Sequence, residues 1–252
     1  MEVGLKVGAP FKYLDEFMPL TNWADVHNDT ARGIAKAQWI KTAVSAGVHD
    51  DWADSEMATY YKNAKSALDS QQFDIFSKLQ TMEQKIKFLQ LTTPTVHPFW
   101  LCFLRVNKPV EFTQHENKAI ANQCIDTPNI VLFPKLMSVI RKLPLKSIGR
   151  ILIFMTEANN ETVPHFDASD QEQRARMGNA DFVWFQPQAL ANSTCKKIFV
   201  MDDKKNKYYA DPSKQFIWFN EMDFHGTDPA PVFSYSVRVE GVFNDRVRSS
   251  TS

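Results

Sequence analysis

The sequence predicts an α+β chain that is mainly β, with helices gathered near its start and a run of short strands after them. Three observations predict it. In the first part of the chain, apolar residues recur at helical steps of three and four, as in Phe73, Phe76, Leu79, Met82, Ile86 and Leu89. The character changes at Thr92-Thr93-Pro94, after which aromatic and β-branched residues dominate. From there on, short apolar runs alternate with turn residues in close succession, the pattern of a sandwich or barrel.

Each element follows from its own residues. Thr30 to Ala46 carries good helix formers and stops before Gly47. Met57 to Leu68 forms a weaker helix, with Asp54 or Ser55 as its cap. The stripe from Phe73 to Leu89 marks one buried helical face, with Asp74, Lys78, Gln80, Glu83, Lys85 and Lys87 between its members and Ile75 and Phe88 off the strict spacing. A methionine and aromatic stripe of this kind reads as core, and these helices are expected to pack on the outside of a sheet. Phe99 to Val106 reads as a strand buried on both faces and ended by Asn107-Lys108-Pro109. Pro134 to Lys142 is a short helix with Leu136, Val139 and Ile140 on one face. Strands are then expected at Arg150–Thr156, Thr162–Asp167, Asp181–Gln186, Lys197–Asp202, Lys207–Ala210, Gln215–Asn220 and Val232–Phe243. A hairpin turn is expected at Asp202–Lys205, and a loose tail at Arg248–Ser252.

In the last strand Ser234, Ser236, Arg238 and Glu240 alternate with Phe233, Tyr235, Val237 and Val239. The polar face meets either solvent or the mouth of a barrel, and the apolar stripes of the helices favour the second. A double-stranded β-helix core of jelly-roll or cupin-like form, with the N-terminal helices packed on its outer sheet, meets both requirements. The 252 residues are read as a single domain, with 1–93 a helical support region and 94–246 the core.

Composition narrows the function. With 29 basic and 29 acidic residues the chain has no field for a polyanion, which disfavours a broad nucleic-acid or membrane surface. Cys102, Cys124 and Cys195 are odd in number and widely spaced, so neither a zinc ribbon nor a disulfide framework is indicated. Met1-Glu2-Val3-Gly4 has no basic segment leading into an apolar run, and no stretch approaches a membrane span. A reducing, cytoplasmic setting is expected. No Gly-rich phosphate loop and no Gly-x-Ser-x-Gly elbow occurs.

The chemistry concentrates between Val163 and Glu240. In Pro164-His165-Phe166-Asp167 the histidine and the carboxylate fall two apart, so an extended backbone puts both on one face, where they can ligate one ion. Phe224-His225-Gly226 offers a second imidazole sixty positions on (225 − 165), and Arg238 stands thirteen beyond it (238 − 225). Two imidazoles and one carboxylate on one side of an ion leave the other positions open, which suits non-haem Fe(II) and O2. Each residue has a plainer reading: His165 as a surface histidine, Asp167 as a cap of the following turn, His225 beside Gly226 as a hinge, Arg238 as a strand-surface cation. His49-Asp50-Asp51 and His115-Glu116 set histidine next to acid, but adjacent strand residues face opposite ways; His27 and His97 have no carboxylate at ligand spacing.

On His165, Asp167, His225 and Arg238, in that order and at that spacing, the chain resembles the Fe(II)/2-oxoglutarate-dependent dioxygenases. The resemblance covers His165 to Arg238. It implies Fe(II) held by His165, Asp167 and His225, and 2-oxoglutarate chelating the iron with its distal carboxylate on Arg238. It also implies O2 as oxidant, hydroxylation of an unactivated C–H bond, and release of succinate and CO2. Ser236, on the side of Arg238, would add a hydrogen bond to the cosubstrate, although the arginine-x-serine order of some relatives is absent. Asp167 argues against halogenation. The polar segment 168–178 is expected to be a lid over a small polar substrate such as an amino acid or derivative, within an apolar wall of Trp184, Phe185, Trp218 and Phe219. The alternatives are a protein side chain or a nucleobase as substrate, a cupin-like metal-binding protein that takes no 2-oxoglutarate, and a noncatalytic β-sandwich module.

Overall fold

Among the described residues, twelve strands form two sheets. A computed structural model describes residues 3–18, 20–43, 65, 68–82, 84–85, 88–89, 98–107, 124–165, 167, 181–191 and 194–250. The strands are β1 (Phe11–Tyr13), β2 (Ile40–Ala43), β3 (Pro98–Asn107), β4 (Cys124–Asp126), β5 (Leu145–Thr156) and β6 (Thr162–His165), followed by β7 (Asp181–Phe185), β8 (Ile198–Met201), β9 (Lys207–Tyr209), β10 (Phe216–Phe219), β11 (Phe224–Thr227) and β12 (Ser234–Phe243). The larger sheet runs β1-β10-β7-β12-β5-β3-β2, with β4 paired to β3; the smaller runs β6-β11-β8-β9. All named pairings are antiparallel. From β5 to β12 the chain passes between the sheets in the order large, small, large, small, small, large, small, large. That is the winding of a double-stranded β-helix, so the α+β, mainly β class expected of the sequence is the one observed.

Period-two alternation sorts the strand residues between two environments. Phe185 and Phe216 face the first helix, α1 (Trp23–Ile34), whose Trp23 ring lies 6.0 Å and 5.3 Å from theirs. Tyr235, on the same outer face, shares a 2.7 Å hydrogen bond with His27 Nδ1 of that helix. Trp184, Phe219, Ser236 and Arg238 point the other way, between the sheets. The last strand thus takes the second of its two readings, with its polar face inside. Phe182, Phe185, Phe199 and Phe243 are wholly buried, each contributing about 1.5–3 kcal/mol over an exposed ring. Strand β3 is buried on both faces as expected, Cys102 and Leu104 joining the main core and Phe103 and Val106 a second cluster.

Several expectations need correction. The first helix starts earlier than Thr30, capped by the Asn22 side chain, which accepts from Asp25 N–H. It ends at Ile34, and residues 40–43 form an edge strand where the helix was expected to run to Ala46. The cause is tertiary: Asn129 brackets Gln38, accepting from its N–H at 2.9 Å and donating to its carbonyl at 2.7 Å, which fixes an extended exit. The N-terminal region is therefore not helical throughout, because β1 and β2 extend the large sheet with strands too short to show a period.

The stripe from Phe73 to Leu89 is also not one helix. The first helix there is Ser70–Ser77, opened by an Asp69–Gln72 capping box; the helix breaks at 78–81, and residues 82, 84, 85, 88 and 89 are helical again. Phe73, Ile75 and Met82 are exposed while Phe76 and Leu89 are buried. At the other end, Asn244 caps a short helix, Asp245–Ser249, that buries Val247, and its last two residues, Arg248 and Ser249, fall within the tail expected at 248–252. The 57–64 part of the second expected helix, the 168–178 lid, His49, Asp50, Asp51, His97, His115 and Glu116 lie outside the described residues. No helix among the described residues is long and apolar enough to cross a membrane.

Candidate metal centre

Strands β6 and β11 bring the two histidines together. His165 and His225 are direct cross-strand partners, with ring centroids 4.5 Å apart. The pairing depends on a bulge. Between His225–His165 and Thr227–Thr162 the small-sheet ladder slips by one residue on the β6 side, where Pro164 has no N–H to offer. Gly226 makes the close approach possible, since a Cβ there would meet the Thr162 carbonyl oxygen at 2.5 Å. The glycine sits in the middle of β11 (Phe224–Thr227) and not in a turn, which corrects the hinge reading of His225.

Asp167 completes the group. Its N–H donates to the Glu221 carbonyl at 3.0 Å, tying the residue after β6 to the loop before β11. Its Oδ1 lies 3.6 Å from His165 Nε2 and 3.9 Å from His225 Nε2, and one ligand atom from each residue falls within 4.8 Å of the others. At these separations the atoms surround a point instead of bonding one another. His225 Nδ1–H donates to the Asp223 carbonyl at 2.9 Å, so its Nε2 lone pair is left facing the carboxylate. Neutral imidazole nitrogens with one carboxylate fit a first-row divalent cation and leave room for further ligands.

The pocket beside this point is lined by both sheets: Phe154, Trp184, Phe219, Ser236 and Arg238 from the large one, Thr162, Ile198 and Thr227 from the small one. Of the expected aromatic wall, Trp184 and Phe219 do line it. Phe185 faces Trp23 and Trp218 faces Phe243, both on the outer side.

Arg238 is in the pocket, but its guanidinium is already surrounded. It contacts Asp167 and Glu221, reaches Glu240 at 3.2 Å through Nε, and lies 4.0 Å over the Phe182 ring. Glu240 in turn takes a bidentate pair from Arg150 at 2.7 and 2.9 Å. Arg238 is thus the hub of a buried network of protein carboxylates. Glu221, Glu240 and Arg150 were not read from the sequence as site residues. Glu240 was legible as the same-face neighbour of Arg238, while Glu221 and Arg150 come from elements whose return to this point only the fold supplies.

A further residue went unread. Lys196 lines the pocket's continuation with Gln186 and Ser234, and is 7% exposed. The thiols carry no comparable chemistry: burial pushes Cys102 up to about 12 and raises Cys124 and Cys195, so none is poised as a thiolate.

No protein-family model matches the chain. No curated protein matches it either. Among solved structures it is similar to an oxidoreductase of the 2OG-Fe(II) oxygenase family from Burkholderia pseudomallei, at 11% identity over 88% of this chain and 91% of that one, with a TM-score of 0.38. It is also similar to a prolyl hydroxylase from Trichoplax adhaerens, solved with a hypoxia inducible factor peptide fragment, at 9% identity over 91% and 94% with a TM-score of 0.35. A Pseudomonas putida prolyl-4-hydroxylase follows at 10% identity over 88% and 100%, with a TM-score of 0.34. TM-scores this low carry no inference about chemistry, so what identifies the site is its own strand order and donor set.

Proposed function

We propose that the chain is an Fe(II)- and 2-oxoglutarate-dependent dioxygenase that hydroxylates an unactivated C–H bond of a small polar substrate, such as an amino acid or a derivative. The observation that carries this reading is the convergence of His165, Asp167 and His225 on one point in the wall of a pocket between the two sheets. Fe(II) with 2-oxoglutarate supplies O2 activation coupled to decarboxylation of the keto acid to succinate and CO2.

The chain's own task is holding and enclosing. His165 and His225 present neutral Nε2 atoms, and Asp167 an ionised carboxylate. The Asp223 carbonyl fixes the His225 tautomer, and Arg238 orients Asp167 from the side away from the histidines. Ser236, whose hydroxyl faces the pocket, is placed to donate to a keto acid. Phe154, Trp184 and Phe219 exclude water, which strengthens each charged contact inside. No side chain need act as a general base. The pocket beside the ligands is walled by apolar rings with few polar groups, Ser236 and Thr162 among them, the lining of a small-molecule site, which supports a small substrate.

One observation favours a second reading, a cupin-like metal-binding protein that takes no keto acid: the enclosure of Arg238 by protein carboxylates. Anaerobic titration separates the two. Fe(II) followed by 2-oxoglutarate is expected to give a visible charge-transfer band, and succinate on admission of air. Iron uptake with no band and no succinate selects the second reading, and absence of iron uptake removes both.

A further inference from the structure

The pocket has two ends, and only one of them is at the metal ligands. Along β12 the inward residues step from Arg238, at Asp167, through Ser236 to Ser234, a run of about 13 Å at strand spacing. Along β8 the same direction leads from Val200, opposite His225, through Ile198, opposite Thr227, to Lys196. The cavity at the metal end and its continuation toward Lys196 share Phe154, Thr156, Thr162, Trp184, Thr227 and Ser236, so they are one elongated space.

The far end is polar and incompletely paired. Lys196 Nζ is buried and has no hydrogen-bond partner among the described residues. Gln186 donates to the Lys196 carbonyl at 3.0 Å and leaves its own Oε1 without a donor. A buried ammonium is costly to keep without a counter-charge. Glu161 is within electrostatic reach, yet desolvation still wins and pushes the lysine down to about 8. Arg238 stands on opposite terms: with Asp167, Glu221 and Glu240 already around it, a further anion there would meet three like charges at once.

We infer that Lys196, at the end of the pocket away from His165 and His225, is a carboxylate-binding residue that takes the distal carboxylate of the keto acid in place of Arg238. The assignment rests on the oxygenase reading above. It makes Arg238 a positioning residue for Asp167.

The test is calorimetric binding to the full chain loaded anaerobically with Fe(II), using 2-oxoglutarate and 2-oxopentanoate, the same keto acid ending in a methyl group. The wild type is expected to prefer 2-oxoglutarate. Lys196→Met and Lys196→Gln are expected to lose 2-oxoglutarate affinity by roughly 10–100-fold while binding 2-oxopentanoate as the wild type does. The ratio within each variant is its own control for folding. A wild type that prefers 2-oxoglutarate, with both variants keeping that preference, overturns Lys196 and leaves the oxygenase reading standing. A wild type that takes up iron but neither keto acid overturns the oxygenase reading, and Lys196 with it.

Discussion

Arg238 and Lys196 are two buried cations in one pocket, and their removal should have opposite consequences. Arg238 is neutralised by carboxylates that are themselves buried, Glu221 at 1% and Glu240 at 0% exposure. Glu240 keeps Arg150 when Arg238 is lost, but Glu221 is left with its charge uncompensated. Arg238→Met is therefore expected to destabilise the protein by about 3–5 kcal/mol, the cost of breaking a buried pair from one side. Lys196→Met removes a charge with no hydrogen bond among the described residues and is expected to stabilise the ligand-free protein by about 1–3 kcal/mol. The sign of its pH dependence follows from linkage. Burial lowers the folded-state pKa from 10.5 to about 8, so between those values the unfolded chain binds the proton and the folded one does not. The wild type recovers stability as pH rises through that window, and the variant's advantage, full below about 8, should vanish toward 10.5. Urea unfolding of the three proteins at both ends of the window checks the contrast; an Arg238→Met as stable as the wild type would mean that the network is not holding Glu221.

At the scale of elements, what was legible follows the length of the strand. In β12, strict alternation over the seven residues Ser234 to Glu240 declared which face is polar, and the neighbouring helices decided where it points. The His-x-Asp pair was legible from its spacing, but β6 ends at His165, short of the expected Asp167, and it is the Asp167 N–H to the Glu221 carbonyl that holds the carboxylate at the site. Strand β11 has four residues, two of them His225 and Gly226, and shows no alternation to recognise. Its pairing with β6 and β8 is a property of the assembled small sheet, as is the burial of Lys196 just before β8. The helical stripe was legible in its residues but not in its break: helix forms at Ser70–Ser77 and again among residues 82–89, and the non-helical 78–81 between them leaves no mark on the three-and-four spacing. Gly226 is where element and site meet. Gly226→Ala places a methyl against the Thr162 carbonyl in the centre of the sheet, where backbone and not a flexible side chain must move. It is expected to cost about 1–3 kcal/mol, as overpacking does. By pushing β11 off β6 it should also weaken iron binding at least tenfold, although no ligand is altered. Calorimetric iron titration of the folded variant measures this, and unchanged affinity would show that His165 and His225 do not depend on the close ladder.

For the whole molecule, the two sheets are closed around a charge imbalance. With neutral histidines, Asp167, Glu221 and Glu240 outweigh Arg150 and Arg238 by one negative charge (3 − 2), in a centre from which water is largely excluded. The ligands come from two paired strands of the small sheet, β6 and β11, and from Asp167 just beyond β6, and Arg238 ties them to the large sheet, so a cation seated there braces one sheet against the other. The unfolded chain has no such site, and binding free energy therefore becomes folding free energy. At a free metal concentration a hundredfold above its Kd, Fe(II) is expected to stabilise the chain by about 2.7 kcal/mol, or roughly 5–10 °C in Tm. A chelator should reverse the shift, and His225→Ala should abolish it, because the remaining pair no longer encloses the ion. Thermal melts under anaerobic conditions, with and without metal, read this directly. A Tm that rises equally in His225→Ala would place the cation elsewhere on the chain, and the point between the sheets would then be held by its ion pairs alone.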